Sequence, residues 1–258
     1  MMKAIEFENE VTLVSHDPFM NISRLFHTAV TFSAFTFVAH AQGTFQNLNF
    51  ESANIPSSTA IDDFLPASEA IPNWTAYFTS TTTTVPATQV AYDGISGGGG
   101  VISIVDSKAY PLDDTQGNYA VILFGGPLIG QTPYSASISQ SGTIPSGTES
   151  LFMDANSFGI SPVVTFSGQA ISMVPIQSFP NYTEYGGDIS SFAGLTGTLS
   201  FTEPPPPATG PGPSALFLDN ISFSSTMVTP EPDPVILMGI AGALFAAYRR
   251  LLGKRSRS

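Results

Sequence analysis

Between Gln42 and Ser224 the apolar runs are short and of β type, recurring every 8–14 residues with Gly, Pro and Ser between them. That spacing predicts antiparallel strands joined by turns and stacked as two sheets. The runs are Thr75–Phe78, Val101–Val105, Asn118–Phe124, Ala136–Gln140, Ser150–Ala155, Pro162–Ser167, Ala170–Val174, Thr183–Ile189, Leu195–Glu203 and Leu216–Ser224. Gln42–Glu51 alternates, with Leu48 and Phe50 on one face, and is expected to be the first strand. Ser52–Trp74 is irregular, interrupted by prolines at 56, 66 and 72. Thr79–Thr84 is expected as an exposed loop or edge strand, and Ser190–Gly194 as a short helical turn. Pro204–Pro213 is expected to be a stiff surface loop between the last two strands.

Composition narrows the chemistry. Charged residues are 11% of the 258, against about 25% in an average soluble domain. Cysteine is absent, and His16, His27 and His40 all precede residue 42. A body without His or Cys excludes Ser-His-Asp hydrolysis, Cys-His catalysis and His-ligated zinc. From Gln42 to Thr229 there are fourteen Asp and Glu against Lys108 alone, a net charge of −13. Such a field repels nucleic acid and favours divalent cations. Gly97–Gly100 and Gly125-Gly126 are not followed by Gly-Lys-Ser/Thr, so neither is a phosphate loop. Asp62-Asp63 and Asp113-Asp114 are sequence neighbours, which point to opposite faces of an extended chain and cannot pair across a substrate. Asp154, Asp188 and Asp219 are dispersed. The body is therefore expected to be non-catalytic.

Both ends differ from the body. Residues 1–19 carry four acidic groups and read as an extension that precedes the true start at Met20. Residues 20–41 have Arg24, an apolar Leu25–Val38 and Ala39-His40-Ala41, the pattern of a signal peptide cleaved before Gln42. At the other end, Pro230-Glu231-Pro232 is followed by Val235–Tyr248, 14 residues without a charge, and then by Arg249-Arg250 and a basic tail. As a helix that span rises about 21 Å, short for a bilayer, with Leu251 and Leu252 able to extend it. The basic tail is expected on the cytoplasmic side. Residues 229–258 resemble the PEP-CTERM sorting signal of exported bacterial proteins. The resemblance implies handling by signal peptidase, the export machinery and an exosortase, with a transient tether at the inner membrane before arrival at the cell surface or outside. A plain C-terminal transmembrane anchor remains the alternative. Residues 42–228 are then the folded body.

Asn47-Leu48-Asn49-Phe50-Glu51 and Phe217-Leu218-Asp219-Asn220-Ile221-Ser222-Phe223 resemble the first and last strands of the jelly-roll domains of carbohydrate-binding modules. The resemblance implies an all-β, jelly-roll-like sandwich, and a structural calcium between first and last strands with Glu51 and Asp219 as ligands. Alternation places Asp219 on a core face with Phe217, Ile221 and Phe223, where a carboxylate needs a cation or hydrogen-bond donors. Backbone amides are the other candidate partners. Trp74 is either core or a sugar-stacking platform. Two functions are carried forward: a matrix protein without catalysis, associated with exopolysaccharide, and a protein like a carbohydrate-binding module.

Overall fold

The computed structural model describes residues 44–94, 101–106, 116–127, 133–158, 162–206 and 214–228. The expected signal peptide, the sorting signal with its helix, and the acidic extension lie outside these residues. Among the described residues no helix is long and apolar enough to cross a membrane.

The body is a two-sheet β-sandwich. The larger sheet runs β1 (Phe64–Pro66), β4 (Gln89–Tyr92), β5 (Val101–Asp106), β6 (Tyr119–Pro127), β14 (Ser214–Ser224), β8 (Ser150–Phe158), β12 (Thr183–Asp188) and β11 (Met173–Ser178). The smaller runs β3 (Thr84–Ala87), β2 (Thr75–Thr79), β7 (Pro133–Thr143), β13 (Thr196–Glu203), β9 (Val163–Phe166) and β10 (Gln169–Ile171). Gly126↔Tyr134 and Pro127↔Pro133 join β6 to β7, so one hairpin belongs to both sheets. Every pairing is antiparallel except β4 with β5. Among the described residues the helical elements are a four-residue helix, α1 (Ala67–Ala70), and a 3-10 turn at Ser190–Phe192.

Period-two alternation puts the apolar partners inside. Ile102 and Ile104, Val121 and Leu123, Leu151 and Met153, Leu199 and Phe201, and Ile138 all enter one core with Trp74, Phe45, Leu48 and Phe50. Trp74 is 5% exposed and packs against Phe50 at 5.7 Å and Phe201 at 6.0 Å between ring centroids. Its Nε1 donates to Asn47 O at 2.9 Å. The ring presents no free face to a sugar, and this corrects the platform reading of Trp74.

Three strand expectations need correction. Thr44–Glu51 contributes Phe45, Leu48 and Phe50 to the core but is not a strand. Asn47 (φ 51) and Phe50 (φ 55) are left-handed, and Asn47 Oδ1 accepts from Ser52 N, so side-chain turn chemistry overrides the alternation. Ala170–Val174 is split at Ser172 into β10 and β11, which belong to different sheets. The stretch read as irregular holds β1 and α1, too short for periodicity to show.

Candidate functional site

The outward side of the larger sheet carries the candidate site, where β14, β8 and the β11–β12 hairpin lie side by side. Asn220 (φ 48) is an extra residue in β14: the pairing passes from Asp219↔Asp154 directly to Ser222↔Phe152. Before this bulge, Leu216 and Leu218 face the core; after it, Ile221 and Phe223 do. Asp219 therefore shares its face with Phe217, which packs outward with Ile122 and Phe124. The expectation that Asp219 sits among Phe217, Ile221 and Phe223 on one inner face is corrected, because one inserted residue reverses the phase of the strand.

Asp219 is 1% exposed and faces Asp154 across the strand pair. The turn before β6 and the bulge itself each supply one donor. Gln116 N donates to Asp219 Oδ2 at 2.8 Å, and Asn220 N to Oδ1 at 2.6 Å. Gln116 Nε2 reaches Asp154 Oδ2 at 2.8 Å and Tyr182 Oη at 2.9 Å, while Asn220 Nδ2 also donates to Asp154 Oδ2. One glutamine thus clips β14, β8 and the β11–β12 turn together. Glu51 closes the turn from the far side, accepting from Asn118 N and Tyr119 N on Oε1 and from Asn118 Nδ2 on Oε2. Gly117 (φ 95) is required there, because a Cβ would strike the Glu51 carboxylate.

Burial dominates the electrostatics. It pushes Asp219 up to about 8 despite its two amide donors, with the charges of Asp154 and Glu51 adding to the rise. Asp154 rises to about 6, again chiefly by burial and partly by Glu184, against the amide donors of Asn220 and Gln116. Glu203 lies outside this cluster, wholly buried at the end of β13 with neither oxygen partnered. The nearby Ser214 hydroxyl donates to Pro204 O instead, and burial lifts Glu203 to about 8.

The donor set does not fit the expected calcium. The oxygens of Glu51 and Asp219 are taken up by amides, the other class of partner open to them. Among the described residues no group of three or more His, Asp or Glu is arranged to hold a metal ion.

Beside the network is an open cleft of about 280 Å³ lined by Ala155–Ser157 of β8 and by Phe179–Thr183 and Tyr185. Pro180-Asn181 makes the hairpin turn, closed by Phe179 N to Tyr182 O at 2.8 Å. The turn brings Phe179 and Tyr182 into a stack, 4.6 Å between centroids and 22° between planes. Asn156 Nδ2 donates to Asn181 O and holds the turn against β8. The accessible lining of the cleft is almost wholly polar, amides and hydroxyls, with the Phe179 ring exposed beside it and Asp154 beyond Tyr182. Sequence reasoning misses Phe179, Tyr182 and Gln116. Two aromatics flanking Pro-Asn are the signature of a hairpin tip with paired rings, and that signal is legible.

No protein-family model and no curated protein matches the chain. Among solved structures, the chain resembles the carbohydrate-binding module TmCBM61 in complex with β-1,4-galactotriose, with a TM-score of 0.36 and 13% identity over 71% of this chain and 98% of that one. It also resembles the K2 cleaved adhesin domain of Lys-gingipain, at 0.34 and 16% over 68% and 96%. The K1 cleaved adhesin domain of Lys-gingipain from Porphyromonas gingivalis W83 matches at 0.34 and 13% over 65% and 96%.

Proposed function

We propose that this chain is an exported, non-catalytic protein that binds glycans through the cleft at the Phe179–Tyr182 hairpin. The observation that carries the reading is the stacked aromatic pair beside an amide-rich and hydroxyl-rich cleft. A sugar ring has an apolar face and a polar rim; the exposed Phe179 ring at the hairpin tip takes the first, while Asn156, Ser157 and Asn181 take the second. Burial of Asp154 and Asp219 favours a scaffold role, since a glycosidase needs two carboxyls open to the substrate. Between the two functions read from sequence, this geometry favours the one like a carbohydrate-binding module. A matrix role is compatible with it, as a protein that holds exopolysaccharide at the cell surface.

Titration calorimetry with neutral oligosaccharides of β-linked glucose, galactose and mannose tests the cleft. Tyr182→Ala is expected to weaken binding by about 2 kcal/mol, roughly thirtyfold. No heat with any of these sugars, or equal affinity in the variant, would remove the proposal.

Export is part of the same reading and rests on the two terminal patterns. The mature protein is expected to begin at Gln42 and to lose its tail near Pro230-Glu231-Pro232 by exosortase action, with Arg249-Arg250 retaining it at the membrane until then. Intact-mass spectrometry of protein from wild-type and exosortase-deficient cells reads both ends. A surface form that still carries Arg249–Ser258 would reduce the tail to an anchor, and a peptide from residues 1–19 would restore Met1 as the start.

A further inference from the structure

The outward face of the smaller sheet has no part in the cleft, and it is unlike an ordinary solvated β face. Ser137 and Thr202 bond hydroxyl to hydroxyl at 2.9 Å, Ser141 and Thr198 at 2.9 Å, and Thr143 and Thr196 at 2.8 Å. The rows continue sideways by register: Ser139 lies opposite both Thr75 and Ser200, Ser200 opposite Thr165, and Thr79 opposite Thr84. Hydroxyls thus stand on five adjacent strands, about 4.8 Å apart across the sheet and about 6.7 Å apart along each strand; Ser137 and Ser139 are buried among their neighbours, and Thr75, Thr84, Ser141, Thr196 and Thr198 are exposed. Tyr77, half-buried in the middle of the face opposite Ser137, is its aromatic centre.

Charge is excluded from this face. The chain from Gln42 to Thr229 carries fourteen acidic residues, and none falls at an outward position of β2, β3, β7, β9 or β13. Glu203, the one carboxylate on these strands, points inward and is buried. Solvated sheets normally use charged side chains for solubility and to deter sheet-to-sheet association. A face that keeps only hydroxyls inside an acidic body is suited to a neutral, hydroxyl-covered partner. Nothing charged must then be desolvated on contact, and many weak hydroxyl contacts add up through their number. A second copy of this chain fits less well, because stable protein interfaces need an apolar centre and, among the described residues of these strands, this face has only Tyr77, Pro86 and Val163 to offer.

We infer that the hydroxyl face of β2, β7, β13 and β9 is a second binding surface, which adheres to neutral polysaccharide in ordered, insoluble form. It shares a ligand class with the cleft but does not depend on it: the cleft holds a single chain end or ring, and the face lies against a surface.

The test is partition of the mature protein between solution and microcrystalline cellulose or insoluble β-1,3-glucan, with soluble oligosaccharide binding measured in parallel. Wild-type protein is expected to move to the solid. Ser141→Glu with Thr198→Glu is expected to reduce that partition at least tenfold and to leave soluble oligosaccharide affinity unchanged. Thr75→Lys with Thr84→Lys repeats the test on other strands, and melting curves verify that each variant folds. Tyr182→Ala is expected to do the reverse, losing the soluble ligand and keeping the solid. Wild-type protein left wholly in solution, or charged variants that partition like wild type, would overturn the inference. So would light scattering that shows a wild-type dimer which the charged variants abolish, because the face would then be an interface between copies.

Discussion

Acidification from about pH 9 to about pH 5 is expected to raise the melting temperature of this protein. Glu203 and Asp219 are held at about 8 in the folded chain and Asp154 at about 6, all chiefly by burial. Unfolded, all three titrate near 4. Between those values the folded state keeps protons that the unfolded state has released, so stability falls as pH rises through the window. It is complete near pH 4 and largely lost above pH 8. Ionising all three carboxyls inside the folded body costs on the order of several kcal/mol. Lower net negative charge at acid pH acts in the same direction, so a variant is needed to separate the causes. Glu203→Gln should raise the melting temperature at pH 8 and flatten the profile, because a neutral amide has no proton to lose. Calorimetric scans across the range read both effects. A wild-type profile that is flat, or that falls on acidification, would show these carboxyls to be solvated and ionised.

Trp74→Ala is expected to be the most damaging single substitution in the body, at about 3–5 kcal/mol. That corresponds to a fall in melting temperature of roughly 6–20 °C at about 2–4 °C per kcal/mol for a domain of this size. Trp74 fills the space between Phe50 and Phe201 and carries a hydrogen bond to the left-handed turn at Asn47. Trp74→Phe separates the two contributions: it retains most of the packing but leaves Asn47 O without its donor, which costs about 1–3 kcal/mol. Thermal melts of the two variants check this. A loss below about 1 kcal/mol for Trp74→Ala would mean that the ring is not part of the core.

Much of the architecture is legible in the chain, and the reasons for the misses are local. Val101–Val105, Ser150–Ala155 and Leu195–Glu203 appear as β5, β8 and β13: β13 because alternation survives where a strand has one buried side, β5 and β8 because a short apolar run bounded by turn residues reads as a strand buried on both faces. β4 is invisible: its four residues, Gln89–Tyr92, are too few for a period to register. Asn47 and Asn220 mislead for another reason. Each adopts positive φ inside a pattern that reads as extended, and neither position is a glycine that would give warning. The candidate site suffers most from the second of these. The sequence singles out Asp219 as a carboxylate needing partners, but its face depends on a bulge one residue away. Gln116 and Tyr182 come from segments 38 residues before and 28 residues after Asp154, and no spacing rule links them.

The position of β14 bears on when the body can fold. Its strand begins only at Ser214, yet it lies between β6 and β8, whose residues pair with it from as far back as Val121. Until that segment has been made, β6 and β8 have a gap between them and the larger sheet is two unconnected halves. Completing the larger sheet closes a loop of almost a hundred residues, from Val121 to Leu218, an intrinsically slow step. A chain built this way completes its larger sheet only when β14 arrives. A truncation before Ser214 should therefore yield no stable sandwich at all.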